Sequence, residues 1–261
     1  MKHSSWTREQ TIVALNLYCK IPFNRVSSNH PDIIRIANII GRTPNSVKMK
    51  IGNFGSFDPE LKKRGIVGLG NTSKLDESVW NEFNNDWNSL AYESELLIST
   101  FTNQPLEKVS EIDISDIPIG KERETFIKAR VNQNFFRRVV LSSYNNKCCI
   151  TGLSISELLV ASHIIPWSVD EKNRLNPTNG LCLNNLHDKA FDSGFLTITP
   201  DFNIKISKLI YEKKNDETIE MFFKKYDNQK MILPEKFLPG KDFLDYHSNE
   251  IFEKKFLKNS T

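Results

Sequence analysis

The sequence is short of cysteine and has no long apolar run, and each shortage removes a class of protein. Four cysteines among 261 residues cannot build a disulfide framework, which predicts a reducing, cytoplasmic setting. No apolar stretch approaches the ~18 residues of a membrane-spanning helix, so such a helix is excluded and no membrane partner is expected. The opening residues MKHSSWTREQ turn polar at once and predict no leader segment. Glycine and proline, eleven of each, form no repeat and no low-complexity tract, which sets aside fibrous and disordered chains.

What the chain does have is an ordinary globular composition with an uneven charge. Hydrophobic residues make up 39% and charged residues 26%, enough for folded cores under a solvated surface. The length suits two domains better than one. The net charge of +3 hides distinct blocks. Residues 1–70 carry eleven Lys and Arg against four Asp and Glu, residues 71–120 carry two against ten, and residues 121–200 carry ten against seven. This predicts a basic unit over 1–70, an acidic connector over 71–120 and a third unit over 121–261. The basic unit is a candidate for holding a polyanion, although many solvated helix faces are basic too.

Local patterns fill in the blocks. In WTREQTIVALNLYCK, Thr7 can cap a helix whose Ile12, Leu15 and Tyr18 recur at helical spacing. DIIRIANII, the break GRTPNS and SVKMKIGNF then give helix, Gly-containing turn and basic helix, a helix-turn-helix outline. Glycines dominate 52–73, which reads as a loop or linker. The acidic block reads as one amphipathic helix or a pair, with Val79, Phe83, Trp87 and Leu90 as the apolar stripe. The third block opens on a helix, ERETFIKARVNQNFFRRVVLSSY. LLVASHIIPW and GLCL follow as short strands around a polar loop, NNLHDKAFDSG as a short helix, and FLTITPDFNIKIS as a hairpin. The fold class expected is α+β.

Three residues in that strand-loop-strand-helix stretch can do chemistry together. His163 lies on the first strand, Asn179 just before the second, and His187 in the first turn of the helix. A neutral imidazole can take a proton from water near neutral pH. A second imidazole with an amide oxygen can help hold a divalent ion, which suits phosphodiester hydrolysis. A lone histidine is more often structural, so the weight rests on the order of all three.

The order CCITG, ASHIIPW, NPTNGLCLNNLHDKAFDSG resembles the HNH endonucleases, in particular a restriction-type branch, and the resemblance extends over about residues 121–250. It implies a ββα-metal fold with His163 as general base and His187 as metal ligand. It also implies a middle asparagine, Asn179, that orients the loop or lies near the metal. Asp192 matches a further acidic position and is a third candidate ligand with His187 and Asn179. Ser162 stands where many relatives carry an acidic ligand. The cofactor implied is a divalent cation, Mg²⁺ or Mn²⁺. Relatives with a structural zinc use two C-x-x-C pairs, and here Cys148 and Cys149 are adjacent with only Cys182 nearby, so no structural zinc is expected.

The first block resembles N-terminal domains found with this nuclease type, which implies a DNA-binding unit. Arg42, Asn45, Lys48 and Lys50 are its candidate DNA contacts, with Arg137 and Arg138 on the later helix as phosphate contacts. The competing readings are a solvated helix face for the first four and an ordinary ion pair with Glu122 or Glu124 for the arginines. The function expected is a restriction or defence endonuclease acting on double-stranded DNA, plain or modified. One active centre cuts one strand, so cutting both takes a homodimer or two visits. The alternatives are a DNA-binding regulator with an inactive nuclease-like domain and an RNA- or structure-selective nuclease.

Overall fold

A computed structural model of the chain describes residues 5–63, 65, 72–115, 117, 119–212 and 217–254. It forms two compact units, Met1–Ser143 and Tyr144–Thr261.

The first unit is helical among the described residues: α1 Arg8–Lys20, α2 Pro31–Ile39, α3 Pro44–Gly55, α4 Pro59–Lys63, α5 Lys74–Phe83, α6 Trp87–Thr102, α7 Leu106–Val109 and α8 Lys121–Ser143. Thr7 starts α1 through a reciprocal capping box with Gln10. Every residue from Thr11 to Cys19 is buried, because α3, α5, α6 and α8 all pack on α1. A helix covered on all sides needs apolar side chains all round, each large one contributing about 1.5–3 kcal/mol when buried. Between α2 and α3 the chain turns at Gly41, whose φ of 68° favours glycine, and Thr43 caps α3. The stretch 52–73, expected to be a loop, is helical in its first part (the end of α3, then α4); residues 64 and 66–71 lie outside the described residues.

The acidic block is not a connector in this unit. Asn84–Asp86 breaks it into α5 and α6, and Val79, Phe83, Trp87 and Leu90 are buried. Its carboxylates meet the basic block: Glu82 and Glu93 hold Arg8, Glu95 holds Lys20, and Asp76 holds Lys50. Helix α8 packs on α1 and α6, and Ser142 Oγ donates to the Cys19 carbonyl at 2.8 Å. The divisions read from charge at 70 and 120 therefore fall inside one body. The two blocks share a buried apolar core, and ion pairs join them at its edge.

The second unit carries the strands. β1 Leu159–His163 and β2 Gly180–Asn184 pair antiparallel, with Leu159 opposite Asn184 and His163 opposite Gly180. Helix α9, Asn185–Asp192, follows directly, capped by the Asn184 side chain. It ends at Gly194, where φ is 76° and an added Cβ would lie 2.5 Å from the Ile251 carbonyl. β3 Leu196–Ile198 and β4 Ile204–Ile206 form the hairpin, followed by α10 Lys208–Tyr211, α11 Glu217–Phe222 and α12 Lys241–Glu250. His247 on α12 is buried and stacks on Phe191 at 3.5 Å between ring centres, a packing histidine. All four cysteines are buried and none is in a disulfide. No helix among the described residues is long and apolar enough to cross a membrane.

Candidate active site

His163 ends β1, where Pro166 soon stops the strand. Its Nε2 lies 2.8 Å from the Arg174 carbonyl oxygen. A carbonyl can only accept, so Nε2 carries the proton and Nδ1 is the basic nitrogen. The ring meets Trp167 edge-on at 5.5 Å. Burial pulls the His163 pKa below its ordinary value, against smaller upward contributions from the Arg174 carbonyl and the Asp188 charge. The imidazole is therefore neutral and ready to accept at neutral pH.

The carbonyl that fixes this tautomer is itself held in place. Asn179 is fully buried at the return of the loop. Its Oδ1 accepts from Ile165 N at 2.8 Å, and its Nδ2 donates to the carbonyls of Ile165 at 3.3 Å and Asn173 at 3.2 Å. One amide thus ties the end of β1 to the residue beside Arg174. The ligand role expected for Asn179 does not fit this arrangement, because its amide is engaged in the loop. Its bonds hold the loop that carries the Arg174 carbonyl.

The charged group beside His163 is Asp188, one residue past the histidine singled out from the sequence. Its carboxylate is half-buried, and burial raises its pKa against the pull of Ser162, Lys189 and His163. Ser162 Oγ is buried and makes no full hydrogen bond, yet it lies close enough to favour the Asp188 carboxylate. Asp192 is exposed one helical turn further along, on the same side of α9 as Asp188.

His187 is elsewhere. Its Nε2 donates to the Phe222 carbonyl at 2.7 Å, and its Nδ1 accepts from Asn184 Nδ2 at 3.0 Å. The ring lies edge-on to Phe223 at 5.6 Å and Tyr226 at 5.9 Å, and the residue is 1% exposed. The strand register explains the separation. Asn184, which holds His187, pairs with Leu159 at the opposite end of the hairpin from His163, roughly 13 Å away at ~3.3 Å per residue. Both ring nitrogens of His187 are engaged here, an arrangement that does not suit the ligand role expected of it. Cys148 belongs to the His187 end. Burial pushes its thiol up, but hydrogen bonds with His187, Thr151 and the backbone outweigh this and lower it to about 7.

Among the described residues no three His, Cys, Asp or Glu side chains stand together as a metal cluster. The donors beside His163 are oxygens: the Asp188 carboxylate, the Ser162 hydroxyl next to it, and Asp192 one turn away. Mg²⁺ fits such a set, because it takes one or two carboxylates and completes its shell with water and substrate phosphate.

Residues 148–199 match the HNH endonuclease family. The matched HNH segment takes in β1, β2, α9 and β3, and with them every group at the His163 site. It points to a nuclease and hence to a nucleic-acid substrate. No curated protein matches the chain.

The other candidate contacts divide. Lys50 is buried against Asp76 with its ammonium over Trp6, and Arg42 bonds Gln10 while covering the same ring. Both side chains are engaged within the helical unit. Asn45 and Lys48 are exposed on α3. Arg137 and Arg138 are exposed on α8, and Arg138 pairs with Asp32 at 3.1 Å on α2, not with Glu122 or Glu124. Sequence reading missed Asp188, Trp167 and Arg174. For Asp188 a signal existed: with Asp192 it makes an i, i+4 acidic pair on the helix that follows β2.

Proposed function

We propose that the chain is a divalent-metal-dependent DNA endonuclease of restriction or defence type. The observation that carries this reading is the fixed tautomer of His163, a neutral ring with a basic Nδ1 beside an acidic, oxygen-rich corner. In the reaction, Nδ1 takes a proton from water, and the hydroxide formed attacks the phosphorus of the scissile bond. The bond to the 3′-oxygen breaks and the departing oxygen takes a proton from water, leaving a 5′-phosphate and a 3′-hydroxyl. The Arg174 carbonyl stabilises the imidazolium through Nε2–H, and Asn179 holds that carbonyl in register. Asp188 would hold the cation, with Ser162 and Asp192 as further oxygen donors. When bound, such an ion supplies positive charge for the crowded phosphate and the departing oxygen. The helical unit would hold duplex DNA through the exposed face of α3, where Asn45 and Lys48 stand beside Met49.

The test is a cleavage panel with the full chain. Supercoiled plasmid, modified duplex and single-stranded RNA are each incubated with Mg²⁺, with Mn²⁺ and with chelator, and the cut ends are mapped. Metal-dependent nicking of DNA leaving 5′-phosphate ends is expected. Preferential cutting of RNA, or binding without cleavage under every ion, would sink the proposal.

A further inference from the structure

A cleft of about 480 Å³ opens within the helical unit between α2, α6 and α8. Its volume falls in the range typical of small-molecule sites, ~300–1,000 Å³. Four cations line it, Lys20, Arg35, Arg137 and Arg138, against the three carboxylates of Asp32, Glu95 and Glu111. Lys20 sits deep, its side chain 9% exposed and 2.8 Å from Glu95. Burial pulls its pKa down, Glu95 only partly restores it, and the Arg138 charge adds to the depression. The positive charge an incoming anion meets is therefore that of the arginines at the mouth, Arg35, Arg137 and Arg138.

Two of the arginines at the mouth share one carboxylate. Arg138, exposed, meets the half-buried Asp32 at 3.1 Å, and Arg35 meets the same carboxylate at 4.0 Å. Partly exposed pairs of this kind contribute little, so an incoming dianion can replace Asp32 as their partner. Planar guanidinium groups present paired donors matched to phosphate oxygens. A bare phosphate would leave most of the cleft unfilled. Val109, half-exposed over the buried Val131, gives a small valine wall against which a flat ring can lie.

We infer that this cleft binds a single nucleotide unit, with its phosphate on the arginines of α2 and α8 and its base against the valine wall. The unit comes either from a free mononucleotide or from a nucleotide unstacked from a strand. The site is separate from the His163 centre and needs no cleavage to operate.

The test is titration calorimetry on the full chain in chelator, so that nothing is cut. The probes are AMP, dAMP, inorganic phosphate, a duplex with one unpaired nucleotide and the same duplex fully paired. Two variants accompany the wild type. Arg137→Ala with Arg138→Ala removes cations. Asn134→Trp, at an exposed position on α8 beside the mouth, blocks the cleft and leaves every charge in place. Both variants should weaken nucleotide binding by roughly tenfold or more, and Asn134→Trp should leave the fully paired duplex much less affected. Binding of AMP or dAMP assigns the free nucleotide as ligand, and binding of the unpaired duplex alone assigns the unstacked one. The inference is overturned if no nucleotide arm binds, if inorganic phosphate binds as tightly as AMP, or if Asn134→Trp binds like wild type. If the double arginine variant fails to fold, Asn134→Trp decides.

Discussion

The two ends of the β1–β2 hairpin carry the same side chain in opposite circumstances. At one end His163 has a protonated Nε2 fixed by a carbonyl, a basic Nδ1, and a carboxylate within electrostatic reach. At the other end His187 has both nitrogens spent on Phe222 and Asn184 and is walled by aromatic rings. Identity alone does not separate a reactive imidazole from a structural one. What separates them is whether the hydrogen bonds a ring makes leave it a proton acceptor facing solvent and charge.

The sharpest test of that contrast is His163→Ala, expected to slow plasmid nicking by about 10²–10⁴-fold while the chain still folds, as read by circular dichroism. A variant that still cuts at the wild-type rate removes the base. Next comes Asn179→Ala, which frees the loop and unpins the Arg174 carbonyl. It should cost roughly 10²-fold in rate and about 1–3 kcal/mol in stability, read by nicking and by denaturant unfolding. Asp188→Asn should raise the Mg²⁺ concentration needed for half-maximal nicking by about 10–100-fold. His187→Ala is the mirror experiment. It should lose about 1–3 kcal/mol of stability, because Phe222 O and Asn184 Nδ2 lose their partner, yet leave the Mg²⁺ requirement alone. If instead the fold survives intact and the Mg²⁺ requirement rises, His187 is a ligand and the contrast between the two ends fails.

The smallest effect is on pH dependence. Burial lowers the His163 pKa in the folded chain below its ordinary 6.5. Between the two values the unfolded chain binds more protons, so stability rises with pH there. Loss therefore begins as pH falls below the ordinary value and is complete below the lowered one. Melting curves in metal-free buffer should show this loss in wild type and a flatter profile in His163→Gln. Equal profiles would mean that His163 titrates as an exposed histidine does.

Much of the local structure was legible in the sequence. The strands around His163 and Gly180, the Asn184 cap, helix α9 with its Gly194 stop and the β3–β4 hairpin follow from short-range patterns, and they are found where those patterns put them. The order of His163, Asn179 and His187 located the right forty or so residues, but not which groups converge. That depends on register: one residue along α9 separates a ring facing Phe222 from a carboxylate facing Ser162, and helical periodicity turns successive residues about 100° apart. In the helical unit the misreading had another source. Ile12, Leu15 and Tyr18 showed one apolar stripe on α1, while Val13, Ala14 and Leu17 are buried as well, under helices from a distant, oppositely charged segment. Likewise Arg42 and Lys50 looked like solvent-facing cations until Trp6, Gln10 and Asp76 took them up.

That encasement of the first helix bears on how the protein can be divided for study. A fragment ending at residue 70 would strip α1 of the helices that cover half its circumference and leave Arg8, Lys20 and Lys50 without the glutamates and aspartate that answer them. Such a truncation would expose a greasy, positively charged rod prone to clump or to stick to any polyanion at hand. The shortest piece of this half with a claim to autonomy runs through Ser143.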